Sequence, residues 1–273
     1  MRSKLFVPGA RPELFAKGLA SDADALSFDL EDAVPADGKA AARAHLNAFL
    51  RSDPVRASDK TIIVRINGLD TPHFTDDVAA LGDARVDLVN LPKCDDARDV
   101  EAASDAIGAT RLLANIETPR GLARAADIAA HRAVAGLQVG LNDLFATLGI
   151  DRRRTEHVHA ALWTIRLAAG EAGCVAIDGA WPDIADEDGF RAEAELARSM
   201  GYVGKSCIHP RQIALANAVF GQDAATLDRA RRIVAAAAAA GAEGHGAFTI
   251  DGEMIDRPAI DQAHRLLSSR NGS

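Results

Sequence analysis

Five charged side chains lie at alternating positions at or just beyond the ends of short apolar segments. Asp29 and Glu31 belong to ALSFDLED, and Arg65 belongs to TIIVRING. Glu117 lies in LLANIET, and Asp143 ends GLQVGLND. Because alternate side chains of a strand share one face, each charged group is predicted to point away from the face that packs on helices. Four carboxylates and one guanidinium would then converge on one site.

The charge of this predicted site indicates a divalent cation. Four carboxylates and Arg65 leave a net charge of about −3 in a partly desolvated pocket, which is costly unless the carboxylates are protonated or paired. Oxygen ligands without a nearby Cys or His pair at zinc spacing favour Mg²⁺ or Mn²⁺ over Zn²⁺. Glu117 and Asp143, predicted on neighbouring strands, are the best pair of ligands.

Asp29 and Glu31 have a weaker case as ligands. Acidic residues are common in the segment that follows them, so support of the ligands, or pairing with Lys39 or Lys93, is an equally open interpretation. Any one of the carboxylates could also begin a helix or lie on the surface.

Short apolar segments that alternate with amphipathic ones must position these residues. The predicted strands are 3–9, 24–32, 61–68, 86–94, 111–118, 134–143, 173–180 and 201–210, and the predicted helices between them include 39–50, 76–81, 95–107, 121–129, 155–172 and 187–200. In the sixth strand, Leu137, Val139 and Leu141 would share the face of Asp143. Eight such units predict a closed (β/α)8 TIM barrel, which places active sites at the carboxyl ends of its strands. A doubly wound open sheet is the alternative, although no GxGxxG turn follows the first strand.

The chain continues beyond the eighth strand with a predicted C-terminal helical arm. Helices are expected near 212–220, over 227–240 and from about Pro258, with a Gly-rich turn and a short strand before the last one. We therefore predict a barrel over 1–222 and an arm over 223–273 that serves for packing or as a lid.

Composition narrows the class of protein further. The 273 residues carry 48% hydrophobic side chains and a net charge of −8, a globular balance that disfavours nucleic acid and anionic membranes as partners. The three cysteines lack C-x-x-C spacing, which fits a reducing compartment. Neither a signal peptide nor an apolar run of about 18 residues is evident, so a cytoplasmic location is expected.

Several strings together resemble the citrate lyase β-subunit-like family of the HpcH/HpaI aldolase/citrate lyase superfamily. They are RSKLFVPGARPELFAK, ALSFDLEDAVP, IIVRING, LPK, IET, GYVGKSCIHP and GEMIDRP. The resemblance implies a (β/α)8 barrel, a Mg²⁺ site and a homotrimer or hexamer whose C-terminal arm reaches over a neighbour's active site.

The resemblance also implies roles for particular residues. Glu117 and Asp143 match the metal ligands, and Arg65 matches the residue that binds the carboxylate of the keto-acid half. Asp256 matches a catalytic acid/base delivered from the adjacent subunit, although a carboxylate that begins a helix is the alternative. The predicted substrate contacts are Arg65, Glu117, Asp29, Glu31 and Lys39.

The implied reaction is the Mg²⁺-dependent cleavage or formation of a 3-hydroxyacyl-CoA, such as malyl-CoA or citramalyl-CoA, with an acyl-CoA and a 2-keto acid as the cleavage products. Two alternatives stay open, a citryl-ACP lyase β subunit that uses an acyl carrier protein, and a hydroxyacyl-CoA thioesterase. A barrel that has lost catalysis and only binds a ligand is a further alternative. Cations predicted to meet the CoA phosphates at the barrel rim are Arg2, Lys4, Arg11, Lys17 and Lys39. Ser206, Cys207 and His209 suggest a nucleophile and base, but a structural role is expected because a third orienting group is missing.

Overall fold

The computed structural model describes residues 1–222, 224–242 and 247–268. It divides into two compact units, residues 1–220 and residues 221–273. Within the described residues, none of the helices is long and apolar enough to cross a membrane.

The first unit is an eight-stranded parallel sheet that is nearly closed into a barrel. Its strands are β1 (Ser3–Pro8), β2 (Ala25–Asp29), β3 (Thr61–Arg65), β4 (Leu88–Leu91), β5 (Arg111–Ile116), β6 (Val134–Val139), β7 (Val175–Ile177) and β8 (Lys205–Cys207). The strand order is β7-β6-β5-β4-β3-β2-β1-β8, so the first strand pairs with both the second and the last. This order confirms the predicted (β/α)8 barrel and excludes the open-sheet alternative.

The barrel closes between β7 and β8 through one residue beyond β7. Asp178 forms a parallel bridge with Lys205, its backbone N–H donates to Gly204 O at 2.8 Å, and its carbonyl accepts from Ser206 N at 3.0 Å. The pairing between β7 and β8 is therefore shorter than the pairing between the other neighbouring strands.

Helices cover the outside of the sheet. They are α1 (Phe15–Leu19), α2 (Lys39–Leu50), α3 (Asp53–Arg56), α4 (Phe74–Leu81), α5 (Ala97–Ile107), α6 (Pro119–Ala123), α7 (Ala125–Ala129), α8 (Leu141–Leu148), α9 (Thr155–Glu171), α10 (Glu187–Ser199) and α11 (Pro210–Phe220). Local sequence explains where the chain leaves β5. The Thr118 side chain accepts from Gly121 N at 2.9 Å and caps α6, with Pro119 in the first turn, the position proline prefers. Glu117 is thereby fixed between a strand end and a helix start.

The two faces of the strands separate as alternation predicts in β2, β3 and β5. Leu26, Phe28, Ile62 and Val64 belong to the main core under the helices. A second cluster inside the barrel contains Ala25, Ile63, Leu113 and Ile177. The inward positions nearer the carboxyl ends of these strands carry polar groups instead.

The prediction for the sixth strand is wrong in two respects. Leu137 and Val139 belong to the helix-side core, whereas Gln138 is buried inside and bonds to Asn115. The strand ends at Val139, and Asp143 lies in the first turn of α8. Gln138 is the one polar side chain that indicates the inward face of β6. Both faces of a strand in a parallel sheet are buried, so apolar residues can occupy either face.

The second unit is a helix, a hairpin and a helix with a small core of its own. It contains α12 (Ala224–Ala242), β9 (Phe248–Ile250), β10 (Glu253–Ile255) and α13 (Arg257–Ser268). Asp251 and Gly252 both have positive φ, 53° and 83°, as a tight two-residue hairpin turn requires. Where one short strand was expected, the chain thus forms two. The predicted Gly-rich turn at 244–246 lies outside the described residues. The core is formed by Ala230, Ile233, Ile255 and Ala263.

Candidate active site

A cavity of about 410 Å³ opens at the carboxyl ends of the barrel strands. It brings together Arg65, Glu117 and Asp143, which the sequence predicted to converge, with Asp29 beside them. A smaller cavity of about 160 Å³ lies by α4 and α5 and is lined by apolar side chains, Gly82 and Thr110, so it offers no comparable chemistry. Other residues that line the larger cavity include Phe6, Pro8, Asp32, Asn115, Gln138, Gly140 and Asn142.

Arg65 is held rigidly by carboxylates. Its Nε and Nη2 donate to the two oxygens of Asp29 at 2.9 and 2.6 Å, and its Nη1 lies 2.9 Å from Glu31 Oε2. The guanidinium also lies 5.1 Å from the centre of the Phe6 ring. Although burial opposes the charged form, hydrogen bonding and the charges of Asp29 and Glu31 raise the pKa of Arg65 above its ordinary value. Arg65 is therefore a fixed cation at the cavity wall.

These contacts answer the question left open for Asp29 and Glu31. Asp29 also accepts from the backbone N–H groups of Glu31, at 2.9 Å, and Ala33, at 3.3 Å. Glu31 Oε1 accepts from Lys93 Nζ at 2.9 Å. Both carboxylates are engaged by protein groups, so in this structure they support Arg65.

Glu117 is the buried anion of the site, with 2% of its surface exposed. Its Oε1 accepts from the backbone N–H of Lys93 at 2.7 Å, and its Oε2 accepts from Asn115 Nδ2. Burial, together with the charges of Glu31 and Asp143, raises the pKa of Glu117 to about 7. Its two hydrogen-bond donors are neutral and no cation pairs with it among the described residues, so a cation placed in the cavity would relieve the cost of its charge.

The approach of Glu117 to the backbone depends on Gly140. A methyl group at residue 140 would lie 2.6 Å from Glu117 Oε2 and inside van der Waals contact of its Cβ. Lys93, the other backbone neighbour, adopts a left-handed conformation with φ of 48°, which is uncommon for a residue with a side chain. Both features hold the Glu117 carboxylate at the cavity floor.

Asp143 reaches the same cavity from the first turn of α8. Its side chain is exposed, and the negative charge of Asp143 contributes to raising the pKa of Glu117. Within the described residues, no group of three or more His, Cys, Asp or Glu side chains forms a metal site. A pair of carboxylates fits Mg²⁺, which commonly takes one or two from the protein and leaves its other positions to water and substrate oxygens.

A buried charge network that the sequence did not predict supports this wall of the cavity. Lys205 is fully buried and donates to Asp178 Oδ2 at 2.6 Å and Glu193 Oε1 at 2.7 Å. Arg152 donates to the same Glu193 oxygen at 2.7 Å and to Ala180 O at 2.8 Å. Burial raises the pKa of Asp178 to about 6 despite Lys205. The string GYVGKSCIHP contains Lys205, but nothing in it indicates partners so distant in sequence.

Two of the cations predicted at the barrel rim, Lys4 and Arg2, lie elsewhere, and a third, Lys39, is engaged by the backbone. Lys4 is fully buried inside the barrel, so its assignment to the rim is wrong. Alternation along β1 turns it to the axis. Arg2 pairs with Asp24 at 2.8 Å, at the amino end of the strands. Lys39 Nζ donates to the carbonyls of Leu30 at 2.8 Å and Glu31 at 3.0 Å, and thereby holds the loop after β2.

Arg11 and Lys17, the other two cations predicted for the CoA phosphates, are exposed. Arg11 pairs with Glu13. Cys207 is buried, and burial raises its pKa to about 12, while His209 Nδ1 accepts from Arg211 N at 3.2 Å. A thiol that stays protonated is a poor nucleophile, which agrees with the expected structural role.

In the second unit, Asp256 lies between β10 and α13. Its Oδ1 accepts from Ala259 N at 3.4 Å and its carbonyl accepts from Ile260 N at 3.1 Å. This is the contact of a carboxylate that begins a helix, so its predicted acid/base role rests on the resemblance alone.

The fold and site together define a class of protein, a (β/α)8 barrel in which two carboxylates and a fixed arginine line one cavity at the carboxyl ends of the strands. Residues 2–210 match the HpcH/HpaI aldolase/citrate lyase family. The chain belongs to this family.

Individual relatives differ in the activity for which they are named. The (3S)-malyl-CoA thioesterase of Cereibacter sphaeroides is 38% identical over 98% of this chain and 93% of its own. The L-malyl-CoA/beta-methylmalyl-CoA lyase of the same species is 36% identical over 97% of this chain and 93% of its own. The crystal structure of protein CitE from Mycobacterium tuberculosis, in complex with magnesium, acetoacetate and coenzyme A, has a TM-score of 0.80 and 35% identity and covers 98% of both chains.

Proposed function

We propose that this enzyme is a Mg²⁺-dependent carbon–carbon lyase that cleaves, or in reverse forms, a 3-hydroxyacyl-CoA such as malyl-CoA or citramalyl-CoA. The products would be an acyl-CoA and a 2-keto acid. One observation carries the proposal: a fixed guanidinium and a buried carboxylate that has no cation partner in the described part of the chain line one cavity with Asp143. These are the groups needed to bind a substrate carboxylate and the oxygen next to it.

Arg65 would bind the carboxylate of the keto-acid half. Its planar guanidinium suits two carboxylate oxygens. Because Asp29 and Glu31 already hold the Arg65 side chain in place, little conformational entropy is lost when the substrate binds. Phe6 against the guanidinium excludes water from one side.

Glu117 and Asp143 would hold the metal, which when bound acts as a Lewis acid on the hydroxyl or keto oxygen of the substrate. In cleavage the hydroxyl proton passes to a base, the bond between the carbinol carbon and the thioester α-carbon breaks, and its electron pair becomes the thioester enolate. The α-carbon then takes up a proton to give the acyl-CoA. Asp256 of a neighbouring copy is the proposed acid/base, which requires the homotrimer or hexamer that the family resemblance implies.

A thioesterase is the second candidate, since one relative at 38% identity is named for that activity. In hydrolysis Arg65 would bind the acid half in the same way, and a water molecule would attack the thioester carbonyl. The citrate lyase branch of the family supports a third candidate, a β subunit that acts on a citryl group carried by an acyl carrier protein. A cytoplasmic location is part of the proposal.

Incubation of the purified protein with malyl-, citramalyl- and citryl-CoA, with and without Mg²⁺, tests these functions. Keto acid without free thiol supports the lyase, whereas free CoA with intact hydroxy acid supports the thioesterase. Glu117→Gln should abolish the Mg²⁺-dependent rate, and activity that survives both this change and EDTA would contradict the metal assignment.

Asp256 has a separate test. We expect Asp256→Asn to leave Mg²⁺ affinity intact and to slow turnover, since the amide can still begin α13 but cannot transfer a proton. An unchanged rate would remove Asp256 from the reaction.

A further inference from the structure

A chain of hydrogen bonds inside the barrel joins Lys4 to Glu117. Lys4 Nζ donates to Gln138 Oε1, Gln138 Nε2 donates to Asn115 Oδ1 at 2.8 Å, and Asn115 Nδ2 donates to Glu117 Oε2. All four residues are buried, and Lys4 has no exposed surface. The chain thus runs from the closed interior to the cavity floor.

Every bond in this chain points the same way. The carboxylate at one end only accepts, so Asn115 must present its amide N–H₂ to it and its oxygen to Gln138. Gln138 must then present its own oxygen at the far end, where it needs a donor. The only other donor to it among the described residues is Asn90 Nδ2, at a long 3.4 Å, so Lys4 is the group that terminates the chain.

A lysine in this place is costly to the fold. Burial and the nearby positive charge of Arg65 lower the pKa of Lys4 well below its ordinary value, against the opposing charges of Asp29 and Glu117. The contact of its Nζ with the Phe6 ring, 4.0 Å from the ring centre, offsets part of this cost. Two other buried polar atoms, Ser27 Oγ and Ser206 Oγ, have no hydrogen-bond partner in the described structure. An apolar side chain would avoid this cost, so the position of Lys4 calls for a reason beyond packing.

We propose that Lys4 is a positioning residue for the metal-binding carboxylate of Glu117 and acts through Gln138 and Asn115. By fixing the orientation of both amides, Lys4 keeps a donor on Glu117 Oε2, while the Lys93 N–H holds Oε1. The lone pairs that remain on the two oxygens then face the cavity. This inference rests on the proposed function, because it takes Glu117 as a ligand of Mg²⁺.

Binding of Mn²⁺ to the full-length protein, followed by electron paramagnetic resonance without substrate, tests the inference independently of turnover. Changes to groups that orient a ligand typically cost about 10–100-fold in metal affinity, and we expect Lys4→Met to lose that much. Lys60→Met is the matched control. Lys60 also donates to two acceptors, the backbone carbonyls of Ser21 and Ala23, but these bonds do not lead to Glu117. The metal affinity of the Lys60→Met variant should therefore stay within about twofold of the wild type.

Gln138→Leu cuts the same chain in its middle and tests the inference even if Lys4→Met fails to fold. It should lose metal affinity to a similar extent. In the Gln138→Leu background, Lys4→Met should cost no more than about twofold, because the path from Lys4 to Glu117 is already broken.

Two results would overturn the inference while the metal site stands. One is wild-type Mn²⁺ affinity in Lys4→Met or Gln138→Leu when Glu117→Gln abolishes binding, and the other is two losses that multiply in the double variant. If Glu117→Gln itself binds Mn²⁺ as the wild type does, the proposed metal site and this inference both fail.

Discussion

Gly140→Ala is expected to disable the proposed metal site although it replaces neither of the proposed metal ligands. The added methyl group would lie 2.6 Å from Glu117 Oε2, whereas an ordinary contact needs about 3.5 Å. The Glu117 side chain would therefore have to retreat by about 1 Å, a displacement several times the roughly 0.2 Å tolerance of a metal–ligand distance.

The size of the effect follows from what Glu117 would lose. Its carboxylate is held by the N–H of Lys93 at 2.7 Å and by Asn115. A hydrogen bond to a charged group contributes about 1.5–3 kcal/mol, so loss of one should weaken Mg²⁺ binding by about 10–150-fold. Crowding in a packed interior should lower the free energy of unfolding by about 1–3 kcal/mol.

Calorimetric titration with Mg²⁺ and urea unfolding of the metal-free protein measure the two quantities separately. Gly38→Ala is the matched control, because the nearest atom to a methyl group there is Pro35 Cγ at an ordinary 3.6 Å. It should bind Mg²⁺ normally and be as stable as the wild type or slightly more so. Wild-type Mg²⁺ affinity in Gly140→Ala would refute the placement of Glu117 as a ligand against this backbone.

Three further predictions concern the charges of the site. Arg65→Lys cannot form the paired contacts with Asp29 and substrate, so kcat/KM should fall by about 10–100-fold with Mg²⁺ affinity nearly unchanged; equal losses in both would contradict this division of roles. Burial raises the pKa of Glu117 to about 7, and a proton on Glu117 competes with the metal. Mg²⁺ affinity should therefore fall by about tenfold per pH unit below pH 7 and level off above it. An affinity that does not change from pH 5.5 to 8 would argue against Glu117 as a ligand. Lys205→Met leaves the buried carboxylate of Asp178 without a cation, while Glu193 keeps Arg152, and should cost about 3–5 kcal/mol of stability, measured by urea unfolding. A loss below about 1 kcal/mol would mean that Asp178 is protonated in the folded protein.

The alternation of side chains was enough to predict much of the barrel and the convergence of its charged residues. In β3, Ile62 and Val64 pack on helices while Arg65 faces the cavity. Glu117 likewise follows from the pattern of LLANIET. These predictions succeed because the residues on the inward face are polar near the strand ends, where the cavity admits water and ligand.

The sixth strand shows where such a pattern fails. With Gly136, Gln138 and Gly140 alternating with large apolar residues, apolar character alone cannot tell which face is inward. Asp143 reaches the cavity because the chain turns into α8 at Gly140, where the lack of a side chain lets Glu117 approach closely from just beyond β5. Contacts of this kind, between residues far apart in sequence, are not visible in local periodicity.

The net negative charge of the site was overestimated from sequence. The predicted sum of about −3 counted Arg65 as the single cation, although pairing with Lys93 was an open interpretation for Glu31. Lys93 does contact Glu31 at 2.9 Å, and Lys4 lies inside the barrel. The place of Lys4 is not encoded by spacing, because in the sequence it resembles any other lysine near a terminus. A metal ion bound at the proposed site would therefore balance a smaller excess of negative charge than the sequence implied.

The pairing of the first strand with the last has a consequence for the order of events during synthesis. Ser3 pairs with Lys205, so β1 keeps one unpaired edge until nearly the whole barrel sequence has emerged. Until then Lys4 stays hydrated and the nascent sheet offers a strand edge to other chains. A chain that stops short of β8 would contain both proposed ligands, Glu117 and Asp143, and still lack the dry interior that orients one of them.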